Sequence, residues 1–441
     1  MDPITIGILG TAALLIFIAL GVHIGLALAT VGFLGIIAIA GLEAALSMMT
    51  TGFYFRLASY ALITIPLFVI MGLLASAGGI GKDLYDGLSL WFGRFRPGLG
   101  IATTVACAGF GTICGSSAVT ASVFAKISAP EMRLQGYDKK IAYGVCATAG
   151  AIGMLIPPSV LAVFYGFMSG DSIGRLLIGG VVPGVLLTIA ISLALVLIPY
   201  IKPEWIASSP LARVGVSWRQ RIAVIPTFWP VVLVGGVIFG GVFGGVFSPT
   251  EGGAVAAFLL IVLTFVTKRR ASLKVIKDSF FETATLLGMA TLVVGGATVF
   301  SRFLTISGIT TAALGWITGV GLDNLTLVIA IAMIYIVLGM FLDSLSMVSI
   351  TVPILTPVIT ALGIDPIWYA IVAIFAMHVG LVTPPFGLDV YTAKAVAEPD
   401  VSVEDIFAGS VPFFLSMLAV LAIAIAFPNI ITFLPNLMFG K

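Results

Sequence analysis

Charge is what this sequence has least of. Only 9% of its 441 residues are Asp, Glu, Lys or Arg, against 60% that are apolar, and mean hydropathy is +1.21. An average soluble domain carries roughly 25% charged residues, so a soluble fold is excluded. Apolar runs of the ~20 residues that cross a bilayer recur from residue 4 to residue 433, which leaves no separate soluble domain. Cysteine is scarce as well. Cys107, Cys114 and Cys146 are odd in number, sit in apolar segments and lack metal-ligand spacing, which excludes a disulfide framework and points to packing. His23 and His378, the two histidines, stand in apolar context and read as packing residues. A net charge of +2 is too small to imply a nucleic-acid partner. The start, Met1-Asp2-Pro3, lacks the basic region of a secretory signal, so the first apolar run is expected to stay as a membrane span.

Glycine, in contrast, is abundant at 51 residues, and in a membrane it permits close helix contact and broken helices. Hydropathy read against Gly, Pro and charge predicts full crossings near 4–22, 24–41, 62–78, 141–168, 172–200, 222–246, 249–267, 289–305, 366–396 and 410–433. Two more apolar stretches, 98–128 and 324–361, are interrupted at the centre by Gly115-Ser116-Ser117 and by Asp343-Ser344-Leu345-Ser346. Both are expected to be re-entrant hairpins. Segments 44–60 and 274–288 mix polar and apolar residues as interfacial arm helices do. On this map the basic clusters at 82–96, 126–140, 202–221 and 268–277, which hold 16 of the 21 Lys and Arg residues, share one side. That side is expected to be the cytoplasm.

The fold class expected is therefore an all-α integral membrane protein with an inverted repeat, about ten full spans, two re-entrant helical hairpins and interfacial arm helices. Matching punctuation supports the repeat. Gly79-Ile80 corresponds to Gly308-Ile309, Ser117 to Ser344 and Pro157-Pro158 to Pro384-Pro385, at shifts of 229, 227 and 227 residues. Residues 1–200 form the first repeat, with a broken helix at 141–168. Residues 201–221 are a cytoplasmic linker, and residues 222–441 form the second repeat, with a broken helix at 366–396.

Broken helices in inverted repeats bind substrate and coupling ions near the midplane, where unwound backbone is tolerated only if it lines a cavity. Adjacent prolines free carbonyls on the N-terminal side of a break, and freed carbonyls suit a hard cation. Candidate sodium or substrate ligands are Gly115, Ser116 and Ser117 at the first tip, and Gly153, Ile156, Pro157, Pro158 and Ser159 at the first break. The second half offers Asp343, Ser344 and Ser346 at its tip, and Val382, Thr383, Pro384, Pro385, Gly387 and Asp389 at its break. Each tip is expected to face the break of its own half, giving two sodium sites. Half-helices starting at Ser159 and Phe386 point positive dipole ends at the centre, where an anion is favoured. Asp343 can ligate a cation, cap a half-helix or exchange a proton. Ser248-Pro249-Thr250-Glu251 reads as a capping box, which makes Glu251 structural.

At these motifs the chain resembles the large membrane subunit of tripartite ATP-independent periplasmic (TRAP) transporters, over essentially all its length. Gly115-Ser116-Ser117, Pro130-Glu131-Met132, Ile156-Pro157-Pro158-Ser159, Ser248-Pro249-Thr250-Glu251, Gly339-Met340-Phe341-Leu342-Asp343 and Thr383-Pro384-Pro385-Phe386-Gly387 carry the resemblance in order. It implies a sodium-driven importer of organic anions, such as C4-dicarboxylates or sialic acid, working as an elevator. It also implies a small four-helix membrane subunit, a periplasmic substrate-binding protein, and the inner membrane of a bacterium or archaeon. No cofactor besides the coupling sodium ion is implied, and no enzymatic activity. Asp389 departs from the family pattern, which usually has an amide there, and an added carboxylate repels an anion unless protonated or paired.

Other classes make distinct demands. A stand-alone ion-coupled anion carrier of the wider ion-transporter superfamily needs no binding protein. An intramembrane enzyme needs a Ser-Lys or Ser-His dyad, paired aspartates or a zinc triad, and none is convincingly placed. A passive channel uses re-entrant hairpins too, but two inverted copies with broken helices favour alternating access.

Overall fold

A computed structural model describes residues 2–206, 217–242, 244–264 and 273–440. Among them the one β pairing is an isolated bridge between Tyr137 and Ile206; the other regular structure is helical. The N-terminal part runs through α1 (Pro3–Ala19), α2 (Ile24–Ala40), α3 (Leu42–Leu57), α4 (Thr64–Ala77), α5 (Ile80–Phe92), α6 (Gly98–Cys114), α7 (Ser117–Leu134), α8 (Lys139–Ala149), α9 (Ile152–Leu155), α10 (Val160–Ser169), α11 (Ile173–Gly179) and α12 (Val181–Ile201). The C-terminal part continues with α13 (Trp218–Ala223), α14 (Trp229–Gly236), α15 (Pro249–Val262), α16 (Leu273–Ser307), α17 (Ile309–Val320), α18 (Asn324–Gly339), α19 (Ser344–Ala361), α20 (Pro366–Leu381), α21 (Leu388–Ala395), α22 (Val403–Ala426) and α23 (Asn429–Phe439). Residues 207–216 of the expected linker, 265–267 of the expected span 249–267 and 268–272 of the last basic cluster lie outside the described residues.

Six helical stretches are long and apolar enough to cross a bilayer, and α8 to α10, bent by 47° at the break, make a seventh. Ten crossings were expected; one of the six stretches is the hairpin arm α19, so the other five and the bent α8 to α10 account for six of the ten. Helices α1, α2, α15 and α20 are apolar but shorter than 18 residues. The amide of Gly25 donates to His23 Nδ1 (3.2 Å) at the start of α2. At α15 the expected capping box is present: Ser248 N donates to Glu251 Oε2 (2.7 Å) and Glu251 N to Ser248 Oγ (3.3 Å).

The landmarks read from sequence fall at equivalent joints. Gly79 (φ +71°) and Gly308 (φ +72°) turn the chain into α5 and α17, in a left-handed conformation that glycine adopts without strain. Helices α6 and α7 form one hairpin and α18 and α19 the other, and the second arms start at Ser117 and Ser344, 227 residues apart. Both diprolines separate helices: α9 from α10 and α20 from α21. One expectation needs correction. Residues 274–288 are not a separate arm helix but the beginning of the 35-residue α16. In the N-terminal part α3 ends at Leu57 and a 3-10 turn precedes α4. Pro66 lacks the amide hydrogen that an unbroken helix needs there, whereas no proline interrupts 273–307.

Helix α2 lies along α16 on glycines: a Cβ at Gly32 would meet Phe300 N at 2.7 Å, and one at Gly25 would meet Leu292 O at 2.8 Å. Polar contacts tie the far end of the first hairpin to the loop between α21 and α22. Arg133 forks onto Asp400 (3.0 and 2.8 Å) and pairs with Glu398, while Lys139 Nζ reaches Asp405 (2.7 Å). The Arg133 guanidinium holds the Asp400 carboxyl below the usual carboxylate range. The basic cluster 126–140 therefore meets an acidic loop of the C-terminal part on one face of the molecule. The three cysteines are free and buried, as packing residues are.

Candidate functional site

Four helix starts meet around one cavity of about 270 Å³. Ser116 and Ser117 come from the first tip, Met154 and Val160 from the sides of the first break, Asp343 and Ser344 from the second tip, and Leu381, Leu388 and Asp389 from the second break. Ile65, Val69 and Gly72 of α4 and Glu282, Leu286 and Ala290 of α16 close it. Helices α7, α10, α19 and α21 thus bring their N-termini, with their partial positive charge, to one place.

Sequence-local chemistry sets each start. Val119 N donates to Ser116 Oγ (3.5 Å) at α7, and Ala162 N to Ser159 Oγ (3.1 Å) at α10. At α19 Asp343 accepts from Leu345 N (3.0 Å), Ser346 N (3.1 Å) and the Ser346 hydroxyl. Of the three roles open to Asp343, capping is the one the geometry displays. Helix α21 starts at Leu388, after Gly387 (φ +53°) and not at Phe386, and has no side-chain cap. Ser159 likewise lies outside α10 as its cap.

The tips meet the breaks in two ways. Within each half, Val160 N donates to Gly115 O (3.2 Å), and Phe341 stacks edge-on against Phe386 with ring centroids 6.0 Å apart. The first arms also rest on the helices that lead into the breaks. Gly111 abuts Gly153, and a Cβ at Gly380 would meet Gly339 Cα at 2.7 Å. The second arms also cross over: α7 packs on α21 as well as on α8 of its own half, and α19 on α10 as well as on α20. In that crossing Ser117 Oγ donates to Asp389 Oδ1 at 3.0 Å. Both side chains are buried, and among the described residues Asp389 Oδ2 has no hydrogen-bond partner. The first tip therefore touches the second break in addition to its own, a contact that the sequence reading did not include.

The other candidate residues do not line the cavity. Ile156, Pro157 and Pro158 are buried, as is Val382, but Pro384 and Pro385 are exposed, so the two breaks occupy different environments. Thr383 spends its hydroxyl on Val379 O (2.6 Å), and His378, buried, donates from Nδ1 to Ile374 O (2.7 Å). Sequence reasoning missed Glu282, an exposed carboxylate at the cavity. Its signal was an acid in a helical stretch that runs into a span. Oxygens of Ser116, Ser117, Ser344 and Asp389 can ligate a small cation, and the helix starts can hold an acidic group.

The family model for the DctM component of tripartite ATP-independent periplasmic transporters matches residues 11–430. This chain belongs to that family. The TRAP permease is 30% identical over 378 residues to the C4-dicarboxylate TRAP transporter large permease protein DctM of Pseudomonas aeruginosa, covering 86% of each chain. It is 28% identical over 433 residues to the ectoine/5-hydroxyectoine large permease protein UehC of Ruegeria pomeroyi, covering 97% of this chain and 98% of the other. Against the sialic acid permease protein SiaT of Haemophilus influenzae it shows 29% identity, over 87% of this chain and 61% of that one. Among solved structures, the Alcanivorax borkumensis YdaH transporter has the same fold, with TM-score 0.62, 14% identity and coverage of 91% and 90%. The TRAP permease is a multi-pass integral membrane protein and a component of a transporter.

Proposed function

We propose that this chain is the ion-coupled permease of a three-part import system that brings a small organic acid across a bacterial or archaeal inner membrane by sodium symport. The observation that carries the reading is the convergence of both hairpin tips and both helix breaks on one cavity, with four helix starts directed into it. Sodium binds hydroxyl and carbonyl oxygens at the tips and breaks, with Ser117 among its ligands. The inverted repeat comprises residues 1–200 and 222–441, and the equivalent joints at Ser117 and Ser344 support it. The hairpins and broken helices move as an elevator against a frame that includes α2 and α16. A small membrane subunit and a periplasmic binding protein complete the system, in keeping with the word tripartite in the family description. Relatives named for C4-dicarboxylate, sialic acid and ectoine support an acid-bearing cargo.

Reconstitution with both partners into proteoliposomes tests this reading. Uptake is expected only with an inward sodium gradient, and Ser117→Ala is expected to weaken apparent sodium affinity by about fivefold, the effect of one hydrogen bond of ~1 kcal/mol. Uptake indifferent to sodium in wild type and variant alike refutes the coupling.

A further inference from the structure

We propose that the cargo is a zwitterion, a small acid that also carries an ammonium or amidinium group, whose cation is held by Asp389 while its acid group lies on the helix starts. The inference deepens the transport reading above and rests on it.

Two observations carry it. Asp389 is 0% exposed, lies at the cavity, gives one oxygen to Ser117 and leaves the other without a partner among the described residues. A buried carboxylate inside a membrane protein is expensive unless a cation or donor meets it. The second observation is the balance of charge around the space. Its lining holds three carboxylates, Glu282, Asp343 and Asp389, and among the described residues no Lys, Arg or His. A dicarboxylate entering there adds two negative charges that no basic side chain answers. The fixed positive contribution comes from helix N-termini, each equivalent to roughly half a charge. Those of α7, α10 and α19 are already bonded to Ser116, Ser159 and Asp343, while α21 has no side-chain cap. One acid group on the cargo suits such a site. Its cationic nitrogen then gives Asp389 Oδ2 a charge-assisted hydrogen bond, on the first turn of the same helix.

4-Aminobutyrate and succinate make a direct test, because both have four carbons and they differ by an ammoniomethyl group in place of one carboxylate. Their binding to the purified chain in lipid nanodiscs, with ectoine as a second zwitterion, is measured by titration calorimetry in sodium buffer. At least one zwitterion is expected to bind about tenfold or more tightly than succinate, and Asp389→Asn to abolish that preference. Glu43→Gln, which removes an exposed carboxylate outside the cavity lining, is expected to retain it. Size-exclusion elution and melting temperature verify that the variants fold. Tighter binding of succinate than of either zwitterion overturns the proposal. So does an Asp389→Asn variant that keeps the preference and loses only sodium affinity, since Asp389 then serves the coupling ion alone. Failure of the transport reading is separately visible: zwitterion binding without sodium-driven accumulation in proteoliposomes leaves a binding site and removes the carrier.

Discussion

Asp343 and Asp389 are the same residue type beside the same cavity, and their surroundings give them opposite character. Asp343 is exposed and fully engaged with the start of α19. Asp343→Ala is expected to destabilise the second hairpin by about 1–2 kcal/mol, the usual loss when a capping side chain is removed. Asp343→Asn, which can still accept from the helix amides, is expected to lose far less, and melting curves in detergent decide between them. Equal losses from both variants point to a charge effect instead of a cap. Both aspartates were legible as polar interruptions of apolar sequence. The bond from Ser117 to Asp389 was not, because the residues are 272 positions apart and one sequence contains nothing that couples them. Glu282 was obscured for a local reason: its neighbours read as an interfacial arm, so its acid looked like a solvated face.

Among elements, the hairpins and breaks were legible because each is written in residues with strong backbone consequences, a Gly-Ser tip or a diproline. The packing between them rests on glycines, whose meaning depends on what faces them. At Gly380 an added side chain meets Ile336 O and Gly339 backbone. Gly380→Val is expected to destabilise by about 3 kcal/mol or more through forced separation of α18 from α20; wild-type yield and melting temperature for that variant count against the close contact. The loop between α21 and α22 responds to pH with a definite sign. Asp400 has a depressed pKa beside Arg133, so its contribution to holding the loop is complete above the unfolded value of about 3.9. It is lost as pH falls through the still lower folded value. Hydrogen exchange over residues 396–406 is expected to stay slow from neutral pH to about pH 4 and to rise below it, after correction for intrinsic rates. Arg133→Gln is expected to raise exchange already at neutral pH. Exchange unchanged in that variant removes the ion pairs as the cause. The pairing itself was hidden in sequence, because the acidic loop and the basic cluster lie in different halves.

For the whole molecule, composition established a membrane fold, and the spacing of landmarks located its equivalent joints, but the continuity of α16 escaped both. Hydropathy divides a mixed segment from an apolar one at a change of composition, whereas a helix ends only where a proline, a cap or a left-handed residue stops it. The consequence of that continuity concerns the lipid. At ~1.5 Å per residue, a helix of 35 residues spans about 52 Å, well beyond the ~30 Å of a bilayer's hydrocarbon. One unbroken rod therefore links a polar start at Lys274 and Lys277, the contacts along α2 and the cavity wall at Leu286 and Ala290. Thinner or thicker bilayers must tilt this rod or deform around it. Uptake in liposomes of graded acyl-chain length is expected to peak at one thickness, with the maximum displaced in Gly288→Pro, which frees the start of the rod from the remainder.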